Sequence, residues 1–107
     1  MNGFQSLSCD GGSSLAQDNQ KLIVGPWAHI RPFTQPTTKG AGDIDFGPDS
    51  PIELHQHLLD WFDYWMKQKD TGIKEKPPVL IFVMGKNQWR YENEWPLKRT
   101  QYTKFHF

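Results

Sequence analysis

The chain has 107 residues, a length that suits one modest domain. Its twelve basic and twelve acidic side chains cancel, and neither half concentrates the positive charge that nucleic-acid binding requires, so that class of protein is excluded. The longest apolar run, Val79 to Met84, is far too short to span a bilayer, which excludes a membrane-spanning helix there.

Cellular location is indicated by two features of the first residues. Cys9 stands alone and cannot form a disulfide within the chain, which is compatible with a reducing compartment. The N-terminus has neither a basic start nor an apolar core, so it predicts no signal peptide. These features favour a cytoplasmic location.

The first third of the chain predicts little regular structure apart from one strand. Residues 1–20 are polar and rich in glycine, and Leu15 to Gln20 predict a short helical turn or a loop. The apolar run Lys21–Val24 stops at Gly25-Pro26 and predicts a buried strand of a parallel sheet. Residues 25–49 carry many prolines and glycines and predict a long loop.

A helix is predicted after this loop. Ser50 is expected to be its N-cap, with Pro51 at the first helical position and Glu53 completing a capping box. The helix is expected to end near Lys67–Lys69, before Gly72. Its packing face is expected from the apolar residues that recur at helical spacing: Leu54, Leu58, Phe62, Trp65 and Met66.

The last third predicts strands. Residues 74–78 have the composition of a linker, Val79–Met84 predicts a strand, and 85–87 predicts a turn into a second short strand over Trp89–Glu92. Tyr102–Phe107 alternates aromatic and polar side chains and predicts a half-buried strand. The order of elements therefore predicts the tail of an α/β domain followed by the opening of an all-β domain.

His29 is the candidate catalytic residue. It lies just past the first predicted strand, and catalytic groups of open α/β sheets gather at the carboxyl ends of strands. An imidazole can take a proton from a serine hydroxyl near neutral pH and pass it to a leaving group. On position alone, a catalytic base and a loop histidine bonded to backbone both stay open. Trp27, Ile30 and Phe46 are the candidate substrate-binding residues because they neighbour His29.

The identity of the parent protein is indicated by several short fragments in a fixed order. They are Asn2-Gly3, Asn19–His29, Asp45–Gly47, Leu59–Trp65, Pro77–Val79, Phe82–Gly85, Trp89-Arg90 and Glu94–Leu97. Together they resemble the hydrolase family that includes cocaine esterase, X-prolyl dipeptidyl aminopeptidase and the glutaryl cephalosporin acylases.

The resemblance implies two structural parts. Residues 1–74 are expected to be an α/β fragment, the end of an α/β-hydrolase fold. Residues 75–107 are expected to be the first strands of a jelly-roll β-sandwich.

The resemblance also implies a serine hydrolase that cleaves ester or amide bonds, such as acyl or X-Pro peptide bonds, through an acyl-enzyme. His29 is then the triad base, and the serine and aspartate are expected upstream of Met1 in a longer parent. No cofactor is implied. The expected partners are a small ester, a small amide or a short peptide, with a homo-oligomer left open. The isolated chain is expected to be inactive, and either marginally stable or associating.

Two further functions stay open from the sequence. One is a non-catalytic, β-rich binding module in which Trp89, Tyr91 and Trp95 stack on a sugar or a peptide. The other is an inactive truncated product, because no Gly-x-Ser-x-Gly motif is present to supply a nucleophile.

Metal binding is not expected. His55 and His57 are two apart, so a helix places them on different faces and they are not expected to share an ion. Asp43, Asp45 and Asp49 lack the twelve-residue calcium loop and are expected to serve in turns and caps, with a structural cation left open as the lesser alternative.

Overall fold

The computed structural model describes residues 3–29, 37–39 and 43–106. The helices within these ranges are α1 (Gly3–Asp10), α2 (Ser14–Asp18) and α3 (Leu54–Lys67). The strands are β1 (Leu22–Val24), β2 (Val79–Val83) and β3 (Gln88–Glu92). None of the helices in the described ranges is long and apolar enough to cross a membrane.

The strands form one mixed sheet in the order β1-β2-β3. β1 runs parallel to β2, with Ile23 beside Leu80, and β2 runs antiparallel to β3, with Phe82 beside Trp89. The turn between β2 and β3 places Asn87 at a positive φ of 52°, a conformation that asparagine tolerates well. The predicted hairpin of two strands and a turn is confirmed.

The sheet joins residues from both sides of the division expected at 74/75. The backbone N–H of Leu22 donates to the Pro78 carbonyl at 2.8 Å, and the Lys21 ammonium donates to the Lys76 carbonyl. β1 is therefore attached directly to the segment that leads into β2. The division into two domains stays a prediction.

β1 is parallel to its neighbour, as its sequence predicts, but it is less buried than expected. Leu22 and Ile23 are half-buried, and Val24 is 41% exposed. The reason is its position at the edge of the sheet, because β2 is the strand that pairs with it among the described residues.

The core lies on β2. Its first four residues are all buried, and the buried apolar residues of the described ranges are Ile73, Val79, Leu80, Ile81 and Phe82. Residues that face each other across paired strands share one face of a sheet. One face therefore carries Leu80 and Phe82 together with their β3 partners Tyr91 and Trp89.

α3 begins later than the capping-box prediction places it. Its first residue is Leu54, and the N-cap position falls on Glu53, whose side chain makes no capping hydrogen bond. Ser50 is instead buried in the preceding loop, where its hydroxyl donates to the Gly47 carbonyl at 2.8 Å. The prediction of Ser50 as N-cap is wrong, because the Ser50 hydroxyl bonds to a carbonyl of the loop and the helix begins only at Leu54.

The predicted C-terminal end of α3 is confirmed to within a residue. Lys67 is the last helical residue, and Gln68 takes the left-handed conformation as C-cap. The predicted packing face is wrong in part, because no residue of α3 is buried. The most exposed apolar side chains of this helix lie on one side of it and are Leu58, Leu59, Phe62 and Met66.

The two ends of the chain differ from the prediction. Residues 3–10 form α1, which no periodic apolar pattern had indicated. Residues 102–106 form no strand, and Tyr102 and Phe105 are 86% and 83% exposed. A strand needs a partner to satisfy its backbone, and within the described ranges no strand lies beside this segment.

Candidate functional site

His29 lies close after the end of β1. The strand ends at Val24, and His29, five positions later, is exposed. The histidine therefore occupies the position past a parallel strand where the sequence places it, and its ring is open to an incoming group.

Trp27 folds back over Gly25, and this close approach explains the glycine. A Cβ atom added to Gly25 would lie 2.4 Å from two carbons of the Trp27 ring, far inside any allowed contact. Gly25 is therefore required for space rather than for an unusual backbone angle. The sequence alone indicated only that Gly25 and Pro26 end the strand.

Trp27 also packs against the sheet. Its ring centroid lies 5.4 Å from that of Trp89 on β3, and Trp89 in turn lies 5.3 Å from Phe82 on β2 in an edge-to-face arrangement. Phe46 meets Phe82 edge to face at 5.9 Å. We refer to Trp27, Phe46, Phe82 and Trp89 as the aromatic cluster.

Phe46 is positioned by a small bridge in the long loop. Lys39 pairs with Asp45 as an isolated antiparallel bridge, and the Phe46 backbone N–H donates to the Thr38 carbonyl at 2.8 Å. The Asp45 carboxylate accepts from the Gly47 backbone N–H at 2.8 Å. This hydrogen bond, aided by one from the Thr38 hydroxyl, holds the pKa of Asp45 below its usual value. Asp45 thus acts in a turn.

Two of the three candidate substrate-binding residues belong to the aromatic cluster. Trp27 and Phe46 come from separate parts of the loop and meet the same face of the sheet through Trp89 and Phe82. Ile30 lies outside the described residues. Their role in binding a substrate stays a prediction.

Phe82 and Trp89 are the members of the cluster that the sequence did not connect with Trp27 and Phe46. Their register as direct cross-strand partners puts both rings on one face. The alternation of side chains along the two strands of the hairpin could have indicated that shared face. It could not have indicated that Trp27 reaches the same place.

The rest of a catalytic triad is not found around His29 in the part of the chain described. Among residues 3–29, 37–39 and 43–106, no serine hydroxyl and no carboxylate is hydrogen-bonded to the His29 ring. The described residues therefore provide one candidate member of a triad.

A separate groove of about 250 Å³ lies between α3 and the sheet. Its walls include Leu54 and Trp61 of α3 and Leu80 of β2, whereas His29 and the aromatic cluster do not line it. His57 also borders the groove, and burial, with a smaller effect from the charge of Lys76, lowers the pKa of its imidazole. The groove is therefore distinct from the candidate catalytic position.

His55 and His57 point to different surroundings on α3, as their spacing predicts. His55 is exposed, whereas His57 is half-buried at the groove. Among the residues that the structure describes, no three His, Cys, Asp or Glu side chains gather into a group that could hold a metal ion.

The comparisons with known proteins agree on one family. Residues 71–107 match the family described as the X-Pro dipeptidyl-peptidase C-terminal non-catalytic domain, which is of the β-sandwich type. The chain is also 33% identical over 89 residues to cocaine esterase from a Rhodococcus species. The chain belongs to the cocaine esterase and X-Pro dipeptidyl-peptidase family. β2 and β3 lie within the residues that match its C-terminal domain.

Two mycobacterial members of this family are similarly close. The chain is 36% identical over 83 residues to proteins of Mycobacterium bovis and Mycobacterium tuberculosis, each named "Putative serine esterase". These matches cover 78% of the chain and 12% of each relative, and the match to cocaine esterase covers 80% and 15%. The chain thus spans about one seventh of the length of the curated relatives it matches.

Proposed function

We propose that this chain supplies the triad histidine, His29, of a serine hydrolase that cleaves an ester or an amide through an acyl-enzyme. In this proposal residues 1–74 are the end of an α/β-hydrolase domain, and residues 75–107 begin a jelly-roll β-sandwich. The nucleophilic serine and the aspartate belong to a part of the longer protein outside these 107 residues.

One observation carries the proposal. An exposed histidine stands just beyond a strand with a parallel neighbour, in a chain related to esterases. Catalytic groups of open α/β sheets lie at the carboxyl ends of strands, and in α/β-hydrolases the histidine is the last triad member along the chain. A segment that carries the triad histidine, with the triad serine and aspartate supplied from elsewhere in the longer protein, fits that order.

The chemistry assigned to His29 is proton transfer. One ring nitrogen accepts the proton of the serine hydroxyl as that oxygen attacks the carbonyl, and later returns it to the leaving group. The other ring nitrogen donates its N–H to the aspartate, which fixes the ring orientation and stabilises the imidazolium. Water then attacks the acyl-enzyme by the same proton route.

Two rings of the aromatic cluster, Trp27 and Phe46, suit the substrate side of this proposal. Trp27 and Phe46 belong to the same loop as His29. Both residues are half-buried, so each remains partly accessible. Apolar and aromatic walls with few polar groups are typical of small-molecule sites. We assign these two rings, together with Ile30, to the acyl or leaving-group side of an ester or amide.

The test is the variant His29→Ala in the full-length protein. Loss of a triad base lowers kcat by about 10⁴-fold or more, so hydrolysis of p-nitrophenyl acetate is expected to fall to near background. Labelling of the serine by a fluorophosphonate probe is expected to slow as well. The melting temperature is expected to stay close to that of the unmodified protein, because an exposed side chain changes stability by about 0.5 kcal/mol or less.

The matched control is His106→Ala. His106 is also an exposed histidine, and it lies outside the helices and strands. The control is expected to keep full activity and full labelling. Near-normal activity of His29→Ala would refute the proposal, as would an equal loss in both variants.

A second candidate, a non-catalytic binding module, is favoured by the description of the family matched by residues 71–107. It predicts that Trp89, Tyr91 and Trp95 offer open rings to a sugar or peptide. Trp89 instead packs against Trp27 and Phe82, so these contacts occupy the ring that the module would need for stacking on a ligand. Saccharide or peptide binding that survives deletion of residues 1–50 would favour the module over the hydrolase.

A further inference from the structure

The contact between Trp27 and Trp89 links the His29 loop to a distant strand. Trp27 stands two residues before His29, whereas Trp89 belongs to β3, which is separated from β1 by β2. Trp89 is itself fixed by its register opposite Phe82. The ring of Trp27 therefore packs against a strand, β3, with which β1 does not pair.

The Trp27 ring has a second close neighbour, Gly25. The ring covers Gly25 so closely that no side chain fits there. Pro26 between them has its φ restricted by its own ring. The Trp27 ring thus contacts both Gly25, next to the end of β1, and the Trp89 ring.

We propose that Trp89 is a positioning residue for His29. The inference rests on the proposed catalytic role of His29. Trp89 acts through Trp27: it holds that ring against Gly25, and this sets the path of the two residues that lead to the imidazole. A displacement of about 1 Å in a catalytic group lowers the rate by about 100-fold, so such support has a measurable effect.

Trp89 lies in the segment that matches a domain described as non-catalytic. On this proposal that domain contributes to turnover without touching the substrate, by carrying the support for the histidine loop. A side chain that only filled space would affect stability alone. A positioning side chain affects kcat in folded protein.

The shape of the ring, rather than its N–H group, is what the proposal requires. The Trp89 indole nitrogen is buried and has no acceptor among the described residues. Trp89→Phe removes this unpaired donor and keeps an aromatic ring against Trp27, whereas Trp89→Ala removes the support. Phenylalanine is therefore expected to rescue what alanine loses.

Tyr91 provides a matched control on the same strand. It is two residues from Trp89, so it shares the same face of the sheet, and it is aromatic and more exposed. It does not belong to the aromatic cluster. Tyr91→Ala thus reproduces the loss of a ring from β3 without disturbing Trp27.

The experiment measures kcat, KM and melting temperature for the full-length protein with p-nitrophenyl acetate. Trp89→Ala is expected to lower kcat by about 10-fold to 100-fold, because the misplaced imidazole acts on bound substrate, with a smaller rise in KM because Trp27 is also assigned to the substrate side. Trp89→Phe is expected to keep kcat within about threefold because it retains a ring against Trp27, and Tyr91→Ala because Tyr91 lies outside the aromatic cluster.

Gly25→Ala tests the same support through the second neighbour of the Trp27 ring, which keeps the test open if Trp89→Ala fails to fold. It is expected to displace Trp27 and to lower kcat as Trp89→Ala does. The double variant Trp27→Ala/Trp89→Ala is expected to lose less than the product of the two single fold-losses in kcat, because both changes break the contact between these two rings.

The outcomes separate this inference from the proposed function. An inactive His29→Ala variant beside a folded Trp89→Ala variant with normal kcat overturns the positioning role alone. Equal losses of kcat in Trp89→Ala and Tyr91→Ala, or no rescue by Trp89→Phe, also overturn it. A fully active His29→Ala variant overturns the proposed function itself.

Discussion

Ser50 is a residue whose sequence context and structural role differ. The sequence around it satisfies a capping box, because Pro51 and Glu53 stand at the expected positions. In the structure its side chain is 1% exposed and its hydroxyl and backbone N–H both donate to the Gly47 carbonyl. Local sequence could not reveal that Gly47, at a positive φ, turns its carbonyl toward this serine.

Ser50→Ala is expected to destabilise the protein by about 1 kcal/mol while leaving helix content unchanged. The substitution removes one buried hydrogen bond, and a typical intramolecular hydrogen bond contributes about 0.5–1.5 kcal/mol. Urea denaturation measures the free energy of unfolding, and far-UV circular dichroism measures the helix. Ser14→Ala, at an exposed serine, is the control and is expected to be nearly neutral. A clear loss of helix in Ser50→Ala would contradict the loop role and restore the capping interpretation.

At the scale of elements, the hairpin β2–β3 was predicted well and the segment after it was not. The hairpin has an apolar run, a glycine and an asparagine in the turn, and a second strand that pairs over five residues, so local and tertiary preferences agree. Tyr102–His106 shows an equally regular alternation but has no partner strand in the described ranges. A local pattern cannot supply the partner on which a strand depends.

The candidate site was predictable to a similar extent. A strand, a glycine-proline stop and a histidine in sequence were enough to place His29 past the end of β1. The contact of Trp27 with Trp89 joins residues 62 positions apart, and its geometry depends on the register of two other strands. Neither spacing nor composition encodes such a long-range contact.

The C-terminal end of α3 offers a stabilising substitution at this scale. Gln68 is the C-cap and adopts φ 56°, ψ 30°, a left-handed conformation in which the Cβ atom of an L-residue costs about 1 kcal/mol. Gln68→Gly is therefore expected to raise the free energy of unfolding by about 0.5–1 kcal/mol. Thermal and urea denaturation measure the change.

Met66→Gly is the control for this substitution. Met66 is two residues earlier, is well exposed and lies within the helix, where glycine is expected to destabilise by about 1 kcal/mol. Opposite signs at the two positions support the C-cap geometry. Destabilisation by Gln68→Gly would contradict it.

For the whole molecule, the balance of buried and exposed apolar surface governs behaviour in solution. The buried apolar residues of the described ranges cluster on β2 and at Ile73, whereas one side of α3 presents a row of exposed apolar side chains. Phe62 and Met66 on this row are 52% and 77% exposed. The formal net charge is zero, so little electrostatic repulsion opposes contact between copies.

The isolated 107-residue chain is therefore expected to self-associate through this side of α3. Phe62→Gln/Met66→Gln removes two large apolar side chains, and because burial of each contributes about 1.5–3 kcal/mol, the dissociation constant is expected to rise by at least about tenfold. Glutamine has a high helix propensity and adds no charge, so α3 and the net charge are preserved. Analytical ultracentrifugation over a concentration series measures the dissociation constant.

Tyr102→Gln/Phe105→Gln is the control, because these rings are even more exposed but lie outside α3. Equal weakening by the control would assign association to the C-terminal segment instead, and a monodisperse monomer with a sharp melt would show that the exposed row is tolerated in water.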